Sequence, residues 1–261
     1  MTVYSDLIAY RELFGNLFRR DLQAKYKGSV LGVVWVLLPP LILMGVYLLI
    51  FHVVWRASQV PNYPLYLVAG LATWVFFATT LQNGSRAMLD NAALIRKTRF
   101  PRQLVAFAVV GTNLVTYALM LVILLVLCFA FLPGSRDTEL LALPLAALFV
   151  CFVAGVTLAV SCVNVLFRDV EHLVASLLVP WFFLTPVLWD RGQFTRHHTI
   201  VQILRYGNPV SPPVDAIRAP LWAGHTPRAV DVVYLVVAAA VALVVGAWTF
   251  RRVDDRMAVE L

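Results

Sequence analysis

The sequence predicts an all-α polytopic membrane protein with six transmembrane helices, and two observations lead to this fold class. Hydrophobic residues make up 61% of the 261 residues and charged residues 13%, a composition too apolar for a soluble domain of this length. The apolar residues also fall in runs long enough to cross a hydrocarbon layer of about 30 Å. The net charge of +7 comes from basic residues that flank these runs, which is typical of membrane topology, so no nucleic-acid partner is expected.

The first element is predicted to be an amphipathic helix over residues 5–26. Its apolar residues fall on one side at 100° per residue and its polar residues fall on the other. Such a helix is typical of a membrane interface, although a helix packed against a partner protein has the same pattern. The apolar side consists of Leu7, Phe14, Leu17, Phe18 and Leu22.

Six apolar runs are then predicted to span the membrane. The fifth run is close to the minimum length for a span and contains Pro180 and Pro186, which are expected to kink it. In the fourth run, Gly155 and Ala159 form a pair of small residues suited to close helix contact. The whole chain, residues 1–261, is treated as one transmembrane domain. The six runs cover residues 30–54, 64–81, 104–132, 140–166, 172–189 and 230–250.

The distribution of basic residues predicts the orientation of these spans. Basic residues concentrate in residues 1–29, in the connection between the second and third spans, and in the tail at residues 251–261. An even number of spans places these three segments on one side, and the positive-inside rule assigns that side to the cytoplasm. We therefore expect a multi-pass protein with a cytoplasmic interface helix, a cytoplasmic tail and both termini in the cytoplasm.

Two connections between spans have a composition that favours a defined structure. On the cytoplasmic side, residues 85–97 predict a short helix that ends before Pro101. On the outer side, residues 199–222 predict two short interfacial or re-entrant helices, with breaks at residues 207–209 and again at Pro212 and Pro213. An ordinary ordered loop is the alternative for the outer segment. Apolar contacts to a partner are predicted for Met88, Leu89, Leu94 and Ile95.

The chain lacks the motifs of several kinds of chemistry. No G-x-x-x-x-G-K-[ST] phosphate loop occurs, so ATP is not expected to bind this chain by that route. Neither H-E-x-x-H nor G-x-S-x-G occurs, and the three cysteines lie inside apolar runs. No catalytic residue, metal site or resident cofactor is therefore predicted. The spans carry almost no charge, which argues against proton-coupled transport.

Aromatic residues are abundant in the predicted spans. Flat, uncharged aromatic faces offer a sugar chain many weak contacts, whereas Trp and Tyr at helix ends commonly mark the membrane interface. An interfacial position is predicted for Trp55, Trp74 and Trp189. A position along a transport pathway is predicted for Trp35, Tyr47, Trp181 and Phe182.

Five motifs resemble the membrane subunit of ATP-binding cassette exporters for lipid-linked polysaccharides, the group that includes O-antigen, teichoic-acid and related cell-wall glycan permeases. They are distributed over most of the chain, from residue 19 to residue 218, in the order expected for the family. The motifs are RRDLQAKYKGSVLGVVWVLLPP (19–40), NAALIRKTRFPRQL (91–104), FRDVEHLV (167–174), WFFLTPVLW (181–189) and YGNPVSPPVDAIR (206–218).

The resemblance implies a homodimer of six-span subunits in a bacterial inner membrane, bound to two copies of a separate ATPase that holds ATP and Mg. It also implies that ATPase movements reach the permease through the amino-terminal helix, residues 85–97 and the turn at residues 168–171. Residues 199–222 are implied to form an outer gate. The implied coupling residues of the turn are Arg168, Asp169 and Glu171, and the implied gate residues are Tyr206, Asn208, Pro209, Asp215 and Arg218.

The implied cargo is a polysaccharide carried on a polyprenyl diphosphate in the membrane lipid. Clustered cations suit phosphate recognition, so Arg20, Lys25 and Lys27 are predicted to bind the diphosphate where the lipid enters. Pro39 and Pro40 depart from the family pattern, in which one proline in the first span is more usual.

Two other functions fit parts of the same sequence. An exporter of small hydrophobic molecules such as drugs could share the architecture, and its substrates would stimulate ATPase activity without any polymer. An intramembrane glycosyltransferase acting on polyprenyl-linked sugars would need charged catalytic groups near a membrane face. Asp169 and Glu171 form the acidic pair available on the inner side between spans.

Overall fold

The computed structural model describes residues 3–26, 38, 41–43, 45–47, 49–50, 61–97, 100–189 and 198–260. Within these ranges the chain contains helices and no strand, which confirms the predicted all-α class for the described residues. The helices are α1 (Ser5–Ala9), α2 (Arg11–Tyr26), α3 (Tyr63–Asp90), α4 (Ala92–Lys97), α5 (Gln103–Phe131), α6 (Ala142–Leu166), α7 (Val170–Leu184), α8 (His198–Gly207), α9 (Ser211–Arg218) and α10 (Ala229–Glu260). Short 3-10 turns at Pro133–Ser135 and Glu139–Leu141 connect α5 to α6, and a π-helical turn at Ala219–Ala223 extends α9.

Four of the described helices are long and apolar enough to cross a membrane. They correspond to the second, third, fourth and sixth predicted spans. The first predicted span, residues 30–54, lies largely outside the described residues. The four helical segments are Tyr63–Asp90, Gln103–Phe131, Glu139–Leu166 and Ala229–Asp254.

The fifth predicted span is represented by α7, which is shorter than predicted. It has 15 residues, or about 22 Å at 1.5 Å per residue, and it ends at Leu184. Thr185 adopts an extended backbone with φ −91° and ψ 136°, the conformation favoured for a residue that precedes a proline. Pro186 therefore ends the helix, whereas Pro180 lies within it.

The contact between α6 and α10 depends on two glycines. A Cβ atom on Gly155 would lie 2.3 Å from the backbone carbonyl carbon of Ala242, and one on Gly246 would lie 2.4 Å from the carbonyl oxygen of Gly155. Any side chain at these positions would force the helices apart. The prediction that Gly155 serves a close helix contact is confirmed, and its partner helix is α10.

An aromatic cluster fills the core between α3, α5 and α6. Phe76 stacks on Tyr117 with ring centroids 4.6 Å apart, and Phe77 stacks on Phe152 at 6.2 Å. Trp74 is 5% exposed and belongs to the same core. The ring of Trp74 therefore packs against neighbouring helices of this chain, and its predicted depth at the membrane interface stays a prediction.

The bundle has two ends that differ in the segments they carry. The hairpin face, as we call it, carries the start of α3, the α5–α6 connection, residues 185–189, α8, α9 and the start of α10. At this end the indole Nε1 of Trp222 donates to the carbonyl oxygen of Pro61 at 2.9 Å. The terminal face carries α1, α2, α4, the turn at residues 167–169 and the last turns of α10. There Arg102 Nη1 lies 3.0 Å from Asp254 Oδ1.

The predicted amino-terminal helix is interrupted at Tyr10, which separates α1 from α2. The apolar side of α2 packs on α5, where Leu17 meets Leu104 and Ala108. Next to this contact, a Cβ atom on Gly111 would lie 3.2 Å from the ring of Phe18. The apolar stripe predicted from the sequence is thus used, at least in part, to contact protein.

The chain before α1 is also attached to the bundle, through Tyr4. Its ring lies 5.9 Å from that of Phe107, and its hydroxyl donates to the carbonyl oxygen of Leu243. Burial raises the pKa of Tyr4 to about 12. The phenol therefore stays protonated and remains a hydrogen-bond donor at physiological pH.

The helix predicted over residues 85–97 is divided between two elements. α3 continues to Asp90, the chain turns at Asn91, and α4 covers Ala92–Lys97. The side-chain Nδ2 of Asn91 donates to the carbonyl oxygen of Ala87 at 2.9 Å, so it bonds a backbone group near the end of α3. The first half of the predicted partner-binding helix is consequently the end of a long membrane helix.

Candidate functional site

The junction between α8 and α9 is attached to α7 by one amide side chain. Asn208 Oδ1 accepts from Trp181 Nε1 at 2.8 Å and from the backbone N–H of Val210 at 3.0 Å. Its Nδ2 donates to Thr185 Oγ1 at 2.9 Å. Asn208 is 7% exposed, and a buried amide with these three partners fixes the turn between the two short helices.

Arg218, at the end of α9, holds the chain that leaves α7. Its Nη1 donates to the carbonyl oxygen of Pro186 at 2.8 Å and its Nη2 to that of Val187 at 3.3 Å. The guanidinium carbon lies 3.8 Å from the centroid of the Tyr66 ring. Space for the guanidinium exists because residue 70 is glycine: a Cβ atom there would lie 1.9 Å from Arg218 Nη2.

The next two carbonyl groups of the same segment are bound by tyrosines of α3. The hydroxyl of Tyr63 donates to the carbonyl oxygen of Leu188, and the hydroxyl of Tyr66 donates to that of Trp189, each at 2.8 Å. Four consecutive carbonyl groups, those of residues 186–189, are therefore bound by side chains of α3 and α9. The turn that follows α7 is therefore held by side chains at each of these four residues.

A buried ion pair joins α8 to α10. Arg205 Nη2 donates to both carboxylate oxygens of Asp231, and Arg205 Nε lies 3.9 Å from Asp215 Oδ2. Arg205 is 5% exposed and Asp231 is 3% exposed. Next to this pair, the hydroxyl of Tyr234 donates to the carbonyl oxygen of Tyr206 at 2.9 Å. Because both side chains are buried, removing either one would leave an uncompensated charge inside the protein and would destabilise the fold.

The structure brings the five predicted gate residues together at the hairpin face. Tyr206 packs its ring under the guanidinium of Arg205, whose carbon lies 5.0 Å from the ring centroid. Arg205 and Asp231 were missed by reasoning from the sequence. The available signal was Asp231 at the start of an apolar run, because a carboxylate in such a position requires a cationic partner.

An apolar cavity of about 430 Å³ lies between α7 and α8. Trp181, Leu177 and Ile203 line it, together with Pro209 of the α8–α9 junction. Trp181 therefore presents one part of its indole to the cavity while its Nε1 binds Asn208. The volume is within the range of sites that hold small apolar ligands.

The other predicted pathway aromatics are placed differently. Phe182 is 7% exposed and lies 5.5 Å, between ring centroids, from both Tyr47 and Trp74. Its ring is thus enclosed by other aromatics of this chain. Tyr47 is partly buried against the same cluster, and Trp35 lies outside the described residues.

A polar cleft of about 700 Å³ opens at the terminal face between α2, α3 and α5. Arg20 lies in its wall, with Nη2 at 2.7 Å from Asp21 Oδ1 and at 2.6 Å from Asn91 Oδ1. The charge of Arg20 is therefore balanced by Asp21. Two further residues are predicted to bind the diphosphate. Lys25 belongs to α2, where the structure describes its backbone but not its side chain, and Lys27 lies outside the described residues.

The residues predicted to contact an ATPase are found at the terminal face with different degrees of exposure. Met88 is fully buried and Ile95 is 7% exposed, so both pack within this chain. Glu171 is partly buried, and its Oε2 lies 3.5 Å from Arg86 Nε. The remaining predicted contacts are partly buried at Leu89 and Leu94 and exposed at Arg168 and Asp169.

Comparison with known proteins agrees with this architecture. Residues 12–222 match the protein family described as ABC-2 type transporter. The chain is 40% identical over 186 residues to the O-antigen export system permease protein RfbA of Myxococcus xanthus, an alignment that covers 70% of each chain. Two proteins of that name from Klebsiella pneumoniae are 34% identical over 181 residues and 31% identical over 179 residues, covering 68% of this chain and 69% of each relative. The chain therefore belongs to the ABC-2 type transporter family.

Proposed function

We propose that the protein is the permease half of an ATP-driven exporter that moves a polyprenyl-diphosphate-linked polysaccharide, an O-antigen or a related cell-envelope glycan, across the plasma membrane. The observation that carries the proposal is the 40% identity to an O-antigen export permease over 70% of both chains. ATP and Mg are bound by a separate subunit, since the chain has no phosphate loop. The working assembly is a homodimer of this chain with two ATPase subunits.

The terminal face is proposed to lie in the cytoplasm and the hairpin face on the outer side. Exposed arginines at the terminal face support this orientation, because positively charged segments are retained on the cytoplasmic side. Arg86, Arg96 and Arg251 are exposed there. Both termini of the chain are then cytoplasmic, and the ATPase binds α4 and the turn at residues 167–169.

The lipid diphosphate is proposed to bind at the end of α2. Arg20 forms an exposed ion pair with Asp21, a weak contact that a diphosphate can replace. Together with Lys25 and Lys27 it supplies the clustered positive charge that suits phosphate recognition. The glycan is then proposed to pass aromatic residues, among them Trp181, toward the gate formed by α8 and α9.

Charge reversal tests this assignment. We expect Lys25→Glu with Lys27→Glu to abolish surface display of the polysaccharide, to leave lipid-linked polymer inside the cell, and to leave copurification with the ATPase unchanged. The matched control is Arg251→Glu with Arg256→Glu, which makes the same change of charge at exposed positions of α10 and is expected to export normally. Normal export by the Lys25 and Lys27 variant would show that the diphosphate does not bind there. Normal surface polysaccharide in a strain that lacks the protein would contradict the proposed function itself.

Export of small hydrophobic molecules is the second candidate, and the 430 Å³ apolar cavity between α7 and α8 favours it. Stimulation of ATPase activity in the purified complex by such compounds, without polymer, would support this alternative. Leu177→Trp would then reduce the stimulation by filling the cavity. The glycosyltransferase alternative gains no support, because Asp169 is exposed and Glu171 lies beside Arg86.

A further inference from the structure

Two connections of the terminal face are joined by a single buried side chain, that of Asn164. It lies in the last turn of α6 and has no exposed surface. Its Nδ2 donates to the carbonyl oxygen of Ser85 in α3 at 2.8 Å. Its Oδ1 accepts from the backbone N–H of Glu171 in the first turn of α7 at 3.0 Å. One amide thus contacts both helices that lead to the two connections.

The chemistry of the partners defines the orientation of this amide. A backbone carbonyl can only accept and a backbone N–H can only donate, so exchanging Oδ1 with Nδ2 would leave both contacts repulsive. The N–H of Glu171 belongs to the first turn of α7, where backbone donors lack partners within the helix. Asn164 therefore caps α7 from a neighbouring helix, and it does so while bound to α3.

Two further contacts hold the same three helices together. Glu171 Oε2 lies 3.5 Å from Arg86 Nε, one residue after Ser85. One residue before Ser85, a Cβ atom on Gly84 would lie 2.1 Å from Thr157 Cγ2 of α6. The close approach of α3 to α6 at Gly84 sets the distance that Asn164 spans. The end of α3 and the start of α7 are thus bonded to one point of α6.

We infer that Asn164 is a positioning residue that makes α4 and the turn at residues 167–169 move as one unit when the ATPase acts on them. α4 follows α3 by one residue, Asn91, and the turn directly precedes α7. The inference rests on the proposed function, since it requires an ATPase that contacts this face. Without the amide, movement of α4 by the ATPase would shift α3 and would be transmitted less to α7. Movement of the turn at residues 167–169 would likewise shift α7 and be transmitted less to α3.

The direct test measures the distance between the two connections in the complete complex of permease and ATPase. Spin labels are placed at Asp90→Cys, the last residue of α3, and at His172→Cys in the first turn of α7; both positions are exposed and adjoin the two connections without belonging to the proposed ATPase contact. Cys151 is changed to Ala because it is the exposed native cysteine, and labelled chains are diluted with unlabelled ones. With Asn164 intact we expect the same label distance with and without ATP and vanadate. With Asn164→Leu we expect the distance to change or its distribution to broaden on adding ATP and vanadate.

A second readout is the amount of polysaccharide exported per ATP hydrolysed. Asn164→Leu is expected to keep ATPase activity within about twofold and to lower export about tenfold or more. Asn164→Ser, whose hydroxyl is too short to reach both partners, provides a milder variant if the leucine variant does not fold, and an intermediate ratio is expected. The control is Ser161→Ala, a buried change in the same helix whose hydroxyl donates to Leu158 within α6, and a normal ratio is expected.

Three outcomes would overturn the inference. They are a label distance that changes with ATP while Asn164 is intact, a normal export-to-ATP ratio in both Asn164 variants, and a parallel fall of export and ATPase activity that matches lost folded protein. Failure of the proposed function looks different, because the protein would then copurify with no ATPase or would leave surface polysaccharide unaffected when deleted. If the complex forms normally but the label distance changes with ATP while Asn164 is intact, the inference is contradicted and the proposed function is not.

Discussion

The hairpin face and the terminal face differ in how far their arginines and carboxylates are buried. At the hairpin face Arg205, Arg218 and Asp231 are 5%, 4% and 3% exposed. At the terminal face the side chains of Arg20 and Arg86 are 47% and 60% exposed. Buried charges must keep their partners, whereas exposed charges exchange them for water or for another protein at little cost.

This difference assigns a mechanical role to each face. The hairpin face joins α3, α7, α8, α9 and α10 through buried arginines, tyrosine hydroxyls and the amide of Asn208, so these elements are expected to move together. The terminal face offers exposed ion pairs, a polar cleft and short connections on which a partner can act. Motion in the transport cycle is therefore expected to start at the terminal face and to leave the contacts within the hairpin face unchanged.

The largest expected effect comes from breaking the ion pair at the hairpin face. Arg205→Met leaves Asp231 buried without its cation, which typically costs about 3 to 5 kcal/mol. We expect the free energy of unfolding in detergent, measured by denaturant titration, to fall by that amount. At the terminal face Arg86→Met is expected to cost less than about 1 kcal/mol, because that pair is exposed and screened.

The double variant Arg205→Met with Asp231→Leu separates the cost of an orphaned charge from the value of the pair. We expect it to recover most of the stability lost at Asp231, since well-packed apolar residues often replace a buried pair without loss. The contact of Arg205 with Asp215 is lost in both variants and does not affect the difference between them. Equal destabilisation by Arg205→Met and Arg86→Met would show that the two faces do not differ in the way described.

The sequence predicted the long helices well and the contacts of the hairpin face poorly, for a physical reason. An apolar run is a local signal, and so is the break at residues 207–209, which the structure confirms between α8 and α9. The second break, predicted at Pro212 and Pro213, is wrong. Both prolines lie in the first turn of α9, where a helix needs no N–H from them.

Contacts between distant residues could not be read in the same way. Arg205 and Asp231 are 26 residues apart in sequence and meet only because α8 packs on the start of α10. Asn164 appeared as one polar residue near the end of an apolar run. Among the predicted site residues, Asn208 and Arg218 were found through family resemblance, and their partners depend on how α7 and α9 pack.

A matched pair of glycine substitutions compares the packing of the two faces. Gly70→Ala places a Cβ atom where it would lie 1.9 Å from Arg218 Nη2, so the guanidinium must leave the carbonyl groups of Pro186 and Val187. We expect a loss of about 2 to 3 kcal/mol in the free energy of unfolding. Gly15→Ala in α2 meets no atom within 4 Å and is expected to add up to about 1 kcal/mol through helix propensity. If both substitutions lowered, or both raised, the free energy of unfolding, the proposed difference in packing between the two faces would be contradicted.

The smallest expected effect separates the structural role of Trp181 from its proposed role in the pathway. Trp181→Phe keeps an aromatic ring near Trp74 and Phe77 but removes the N–H that donates to Asn208. Asn208 keeps its contacts to Thr185 and Val210, so the expected loss of stability is about 1 kcal/mol. Trp181→Leu also removes the flat face that would contact a sugar chain. If the ring serves the pathway, export at matched protein levels falls in the leucine variant and not in the phenylalanine variant. If the ring serves only the α8–α9 junction, both variants export equally, because both lack the hydrogen bond to Asn208.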